Sequence, residues 1–396
     1  MVELADKIAL KIYEKYDSLG KSGKPVEGKE WTLLAGFLVH KNNDIDVVSL
    51  ATGTKCIGSK SMCPNGLIIN DSHAEVLGRR SFLRYLYNEI DTAKKDGESY
   101  IFSYKCTNDK CTLLDNIKFY FFTSHIPCGD ASIIPMKSFE NNVILRRGLK
   151  RRYDDINSEK EDNAEPDIHR TGAKPVKGES RQDPHGKGEN YHIKGAVRIK
   201  PGRGDPTLSL SCSDKLARWI YVGVQGALLS QLIEEPVRIS VLVIGGGCQY
   251  SKDILEESLI NRSGSTYKPC ILQSTKTFRH SEIATGTSRP SPASILWAKT
   301  FQEKIQVSVD GKPLGCTKKN KNKVYILECK REFLKKFLSI KRIDNLNLTY
   351  REAKDMAIEY QKQSKVFKET MGAWAESKLT TELFKISKEE LKQEKN

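Results

Sequence analysis

The string Asn70-Asp71-Ser72-His73-Ala74-Glu75 constrains this chain more than any other, because a His and a Glu two residues apart can divide the work of a metal-activated water. His73 would bind the metal and Glu75 would move protons. The same string has an ordinary reading: Ser72-x-x-Glu75 fits a capping box, in which Glu75 serves the backbone N–H groups of a helix start. If chemistry is its role, the other ligands lie far along the chain, and the fold must close long connections onto one point.

Ile126-Pro127-Cys128-Gly129-Asp130 offers the second ligand. Pro-Cys at a helix start is the other half of the zinc-deaminase pattern H-x-E…P-C-x-x-C. The pattern then breaks, since Ala131 and Ser132 stand where its second thiolate is needed. The third ligand comes from elsewhere, and Cys212, in Leu210-Ser211-Cys212-Ser213-Asp214-Lys215, is the choice. That small polar run leads straight into an amphipathic segment from Lys215 to Leu232, which places the thiol at a helix N-terminus. His73 and Cys128 occupy the same kind of position, where the helix dipole favours the thiolate that zinc requires. Three converging helix starts leave the fourth position for water, as in catalytic zinc sites.

Met1 to Leu19 carries Ile8, Ile12 and Tyr16 at helical spacing and reads as a docking helix, without the basic start and unbroken apolar core of a secretion signal. No stretch is apolar for long enough to span a membrane. Trp31 to Val39 and Asp46 to Ala51 read as strands, the second running into the Gly53-Thr54-Lys55 loop. His73 to Ile90 reads as a helix with Val76, Leu83, Leu86 and Ile90 on one stripe, and Arg80 falls on that stripe. Ile117 to Ser124 and Val237 to Ile244 are further strands. Alternating strands and helices predict an α/β layer structure, a central sheet with helices on both sides. The Gly245-Gly246-Gly247 run lacks the last glycine of a dinucleotide loop, where Tyr250 stands, and reads as a strand-end turn.

The net charge of +15 points to a polyanionic partner. The ten cysteines show no small-scaffold spacing, so a reducing, intracellular compartment (cytoplasm or nucleus) is expected. Cys106 and Cys111 have no second pair with which to form a structural zinc site and read as ordinary thiols. Between about Arg146 and Asp205 the composition shifts to charged residues, Gly and Pro. This reads as an insertion at 146–205 in a single domain spanning 1–396, either disordered or a substrate-contacting loop rich in Arg and Lys.

Gly53-Thr54-Lys55-Cys56-Ile57, Asn70 to Glu75, Arg79-Arg80-Ser81, Pro127 to Asp130, Ser211 to Lys215, Ala217-Arg218-Trp219 and Gln225-Gly226 follow one another in an order that resembles the adenosine deaminases acting on RNA. Arg170-Thr171-Gly172-Ala173-Lys174-Pro175-Val176 and Lys200-Pro201-Gly202-Arg203-Gly204-Asp205 resemble the family's tRNA-acting branch rather than its duplex-RNA editors. The resemblance implies a cytidine-deaminase-like α/β/α sandwich with a central mixed sheet flanked by helices and a large polar insertion. It implies Zn2+ on His73, Cys128 and Cys212, with Glu75 moving protons for the water that displaces the adenine amino group. Thr54 and Lys55 are implied to contact the target nucleotide. No separate RNA-binding module is visible, which favours a compact substrate with an exposed base. The implied substrate is tRNA, deaminated at position 37, just 3′ of the anticodon, in the anticodon stem-loop of tRNA-Ala. No protein partner is inferred.

The resemblance also implies inositol hexakisphosphate enclosed in the fold by Asn70, Arg79, Arg80, Lys215, Arg218, Trp219, Gln225, Tyr350, Lys354, Tyr360, Lys365, Trp374 and Glu376. Several Arg and Lys side chains on helices that carry core stripes need a shared counter-charge. The sequence departs from the family where Ser364 and Ser377 replace expected lysines, and Lys312 is a loosely aligned further member. Lys378 and the tail beyond it read as a solvated face. The alternatives are a deaminase of other structured RNA, a free nucleoside or cytidine deaminase, and a non-catalytic RNA-binding relative. The last is expected to lose Glu75 or a ligand, and all four residues are present.

Overall fold

The computed structural model describes residues 1–106, 109–136, 167–202, 204–301, 303–317, 319–320, 324–343 and 347–392. The first part of the insertion, from Arg146, and Arg203 of the Lys200–Asp205 motif lie outside the described residues.

The apolar runs near residues 34 and 46 form the middle of a sheet. Strands β1 (Leu34–Lys41) and β2 (Asp44–Thr52) pair antiparallel, with Lys41 opposite Asp44. Between them Asn42 and Asn43 both have positive φ, 50° and 69°, the twist that a two-residue hairpin requires and asparagine tolerates. Trp31, expected in the first strand, lies before it in an isolated bridge to Pro290. Two short strands, β3 (Thr54–Cys56) and β4 (Asp71–His73), form a separate ribbon, as do β5 (Phe102–Tyr104) with β6 (Cys111–Leu113). The main sheet continues with β7 (Lys118–Thr123), while β8 (Lys174–Pro175) and β9 (Arg198–Ile199) form a third ribbon. Strands β10 (Ile239–Gly246), β11 (Cys270–Thr277), β12 (Ala293–Ala298), β13 (Gln306–Val309) and β14 (Lys312–Pro313) complete it. The order is β11-β10-β7-β1-β2-β12-β13-β14. The sheet is mixed: β10 runs parallel to β7 and β11, and the remaining neighbours are antiparallel.

Strand periodicity divides the core between the two faces. Phe119 and Phe121 join one apolar cluster, whereas Tyr120 and Phe122 join the other. Helix α1 (Val2–Ser18) covers the second face with Ile8, Ile12 and Tyr16, so the expected docking helix packs directly on the sheet. Burial of each such large apolar side chain stabilises the fold by about 1.5–3 kcal/mol. Helices α2 (Ala74–Asp96) and α3 (Cys212–Val222) cover the opposite face, giving the α/β layers expected.

Two helix expectations are corrected. The segment from Lys215 to Leu232 is not one helix: α3 stops at Gly223, whose φ of 87° no helix accommodates, and a single turn follows at Gly226–Leu229. Cys128 does not start an α-helix. The element that follows it among the described residues is a 3-10 turn, Asp130–Ser132, and Pro135 biases the residue before it away from helical backbone.

Candidate active site

His73 and Cys212 occupy the helix starts that their sequences specify. His73 is the N-cap residue of α2, and Cys212 opens α3 directly after Ser211, whose side chain accepts from the Asp214 N–H. The start of α2 is anchored from the opposite strand, where the Gly53 carbonyl accepts from the Ala74 N–H at 3.0 Å. Gly53 has φ 151°, and a Cβ there would stand 2.0 Å from the Ser72 carbonyl oxygen, so only glycine permits this crossing. Cys128 follows β7 on a loop that meets the α3 start. Gly129, at φ 106°, lies so close that a Cβ would come 2.3 Å from Ser211 Oγ.

These three side chains converge. His73 Nδ1 lies 3.9 Å from Cys128 Sγ and 3.7 Å from Cys212 Sγ, and all three ligand atoms lie within 4.8 Å of one another. Tetrahedral zinc with bonds of about 2.0–2.3 Å separates its N and S ligands by about 3.6 Å, so the donor set fits that ion. A hydrogen bond from the Cys212 thiol holds Cys128 well below the ordinary thiol range, helped by Lys200 and His73 against the effect of burial. Burial pushes Cys212 well above that range. Burial and Lys200 disfavour the His73 imidazolium, yet Cys128 outweighs them and lifts it to about 10. The three donors share protons, which a bound divalent cation would displace.

The capping alternative for Glu75 does not form. Ser72 lies in β4 opposite Lys55, and α2 has no side-chain cap. Glu75 is 2% exposed, and its Oε2 has no hydrogen-bond partner among the described residues. Thr54 stands directly opposite His73 across the β3–β4 ribbon, with its hydroxyl also buried and without a partner among the described residues. Lys55 is half-buried one residue further along. The structure therefore brings the candidate catalytic and substrate-contacting residues to one ribbon and one helix start.

Sequence reasoning missed the hub beside this site. Asp71 accepts from Lys200 Nζ at 3.0 and 2.8 Å, from Lys215, from the His73 N–H at 3.0 Å and from the Cys56 thiol at 3.1 Å. Burial alone raises the Asp71 carboxyl, but Lys200 and Lys215 hold it well below the ordinary carboxylate range. Cys56, Asp71 and His73 also cluster closely enough to hold an ion, yet the two lysines already neutralise that carboxylate. No spacing rule joins Lys200 to Asp71.

Lys215 leads from this hub into a cavity of about 350 Å³. All the side chains expected around a polyphosphate line it except Lys365, which is 78% exposed and paired with Glu369. Lys365 faces solvent because it sits on the outer side of the helix Ile358–Met371, whose Ser364 and Phe367 are buried. Lys312 is likewise exposed, on edge strand β14, whereas Lys330, Arg351 and Lys368 line the cavity without having been anticipated. Arg80 falls on the α2 stripe because that stretch of helix faces this cavity. Arg79 donates to the Val224 carbonyl at 2.8 Å, Arg80 to the Glu328 carbonyl at 2.7 Å, and Arg218 to Ser364 Oγ at 2.8 Å. None of these three guanidinium groups has a carboxylate partner among the described residues, and burial lowers Arg79 to about 10. Ser364 thus holds Arg218 at the position where a lysine was expected, Ser377 lies on the cavity wall, and Lys378 is exposed as expected.

The described C-terminal part of the insertion packs against the site. Arg198 is fully buried in a two-pronged pair with Asp183, at 2.7 Å for both contacts, so it and Lys200 serve the interior and not a surface substrate. Thr171 Oγ1 accepts from the Gly129 N–H at 3.0 Å, which ties the insertion to the Cys128 loop. Arg170 is half-exposed and stacks 3.9 Å over the Tyr191 ring. Cys111 is buried in the core and Cys106 is exposed, as expected of ordinary thiols. No described helix is long and apolar enough to cross a membrane.

Residues 49–378 match the adenosine-deaminase (editase) domain family. The chain is 34% identical to human tRNA-specific adenosine deaminase 1 across 93% of its own length and 97% of that protein. It is 38% identical to the Drosophila melanogaster protein of the same name, across 77% of this chain and 74% of that protein. Similarity to the Drosophila melanogaster double-stranded RNA-specific editase Adar is 30% identity over 61% of this chain and 33% of that protein. The chain belongs to the adenosine-deaminase (editase) domain family. It is a hydrolytic deaminase.

Proposed function

We propose that this enzyme converts adenosine to inosine in tRNA, at the nucleotide just 3′ of the anticodon of alanine tRNA, using zinc held by His73, Cys128 and Cys212. The convergence of those three donors beside a buried, unpartnered Glu75 oxygen carries the chemistry. Zinc bound there would bring the pKa of a water towards neutrality. Glu75 accepts a proton from the attacking water and returns protons to the adenine ring nitrogen and the departing ammonia. Thr54 and Lys55, beside His73, contact the target nucleotide.

The ligands are largely buried, so the target base must leave any stack to reach them, and an anticodon loop offers an unpaired base at low cost. Similarity along nearly the whole of the human tRNA enzyme, against a third of the duplex-RNA editase, supports tRNA as the substrate. Incubation with total tRNA followed by sequencing for new inosines tests the proposal. Equal turnover of free adenosine or cytidine would overturn it.

Inositol hexakisphosphate is the proposed structural cofactor of the cavity. Arg79, Arg80 and Arg218 present charge there without carboxylate partners, and a polyphosphate accepts several charge-assisted hydrogen bonds together. Denaturing the purified protein and identifying the phosphorylated small molecule released is the direct test.

A further inference from the structure

Two carboxylates stand in matching places beside the proposed metal ligands: Asp130 two residues after Cys128, and Asp214 two residues after Cys212. Both are buried, at 5% and 0% exposure. One guanidinium reaches both. Arg262, on the short 3-10 turn Asn261–Ser263, donates to Asp214 Oδ1 at 2.6 Å and lies 3.9 Å from Asp130 Oδ2. Its own side chain is 8% exposed and is fixed by a bond from Nε to the Ser258 carbonyl at 2.5 Å.

The far oxygens of the two carboxylates hold one stretch of the insertion. Asp130 Oδ1 accepts from the Gly195 N–H at 2.8 Å, and Asp214 Oδ2 accepts from the Arg198 N–H at 2.9 Å. The two ligand loops also touch directly, with the Ser213 N–H and hydroxyl both donating to the Cys128 carbonyl. Direct contacts therefore set the backbones side by side, while two like charges behind them oppose that approach unless a cation lies between.

We infer that Arg262 is a positioning residue for the metal site, bridging Asp130 and Asp214 so that Cys128 and Cys212 are held at ligand spacing. The inference rests on the proposed zinc site. Among the described residues Arg262 makes no contact with the three proposed ligands; it meets Asp130 and Asp214, the carboxylates that follow two of them, and the Ser258 and Ala196 carbonyls. Such outer-shell partners typically contribute about 10–100-fold to metal affinity. A cavity of about 270 Å³ bordered by Asp130, Gly195 and Arg262 adjoins the bridge, so a small guanidinium ion can reach the place of a truncated side chain.

The experiment is zinc release from purified holoenzyme to a chromogenic chelator. Arg262→Ala is expected to release zinc about 10–100-fold faster than the parent enzyme, and added methylguanidinium to slow that release again. Leu259→Ala, a core truncation on the preceding helix Lys252–Leu259, is the control: it should lower thermal stability with release unchanged. A folded Arg262→Ala variant that releases zinc at the parental rate overturns the inference. Should that variant not fold, Arg262→Lys makes the same comparison, because it keeps the charge and loses the fork that spans two carboxylates. Parental release from Arg262→Lys then overturns the inference. Absence of zinc from the parent enzyme removes the metal reading and this inference together, whereas a zinc-loaded parent with an unaffected variant removes only the inference.

Discussion

Replacing Lys200 by Met tests whether the buried hub beside the site is worth what its geometry implies. The substitution keeps the length of the side chain and deletes its charge. Lys200 Nζ donates to both oxygens of Asp71, at 3.0 and 2.8 Å, with 1% and 6% of the two side chains exposed. Hydrogen bonds to charged groups contribute about 1.5–3 kcal/mol each, and breaking a buried ion pair costs about 3–5 kcal/mol. Lys215, the Cys56 thiol and the His73 N–H still serve Asp71 in the variant, so the lower end, about 3 kcal/mol, is expected. That is a large part of the about 5–15 kcal/mol that a folded domain commands. Urea unfolding at neutral pH measures it, and Asp71→Asn completes a double-mutant cycle. The double variant should be more stable than the sum of the single losses predicts, by at least about 1 kcal/mol. A loss under about 1 kcal/mol for Lys200→Met, or strict additivity in the cycle, would refute the reasoning.

Further outcomes follow from the site and its surroundings. Cys212→Ala should lose zinc by metal analysis, whereas Glu75→Ala should keep the metal and lose tRNA deamination by about 100-fold or more; full zinc and turnover in Cys212→Ala would send the assignment elsewhere. Arg80→Ala should lower both folded yield and the phosphate released on denaturation, and an unchanged phosphate content would count against the polyphosphate cavity. Asp183 is pulled down to about 2, because hydrogen bonds from Arg198 and His192 outweigh burial. Its stabilising contribution is complete above about pH 4 and disappears as pH falls through about 2, so acid unfolding followed across that range should lose this component in Asp183→Asn. Arg170→Ala should weaken tRNA binding and reduce its salt slope by about one, with folding unchanged; an unaltered slope would remove Arg170 from the RNA surface.

Sequence alone determined the local chemistry and most element types. The H-x-E string, the Pro-Cys pair and the polar run before α3 singled out the residues now proposed as donors and Glu75, because donor types are set by residue identity, and the starts of α2 and α3 carry short-range signals. The β-rich run from Ile117 to Ser124 likewise marked the strand β7, and the spacing of Ile8, Ile12 and Tyr16 exposed the docking face of α1. Tertiary structure decided which partners meet. Lys200 and Arg198 read as surface charge in a polar insertion, yet both are buried, since a distant carboxylate, Asp71 or Asp183, receives each charge. Lys365 reads as an interior cation and faces solvent, while Lys330 and Arg351 enter the cavity from helices whose orientation no local pattern specifies. Periodicity reports which residues share a face, and long-range packing determines what that face meets.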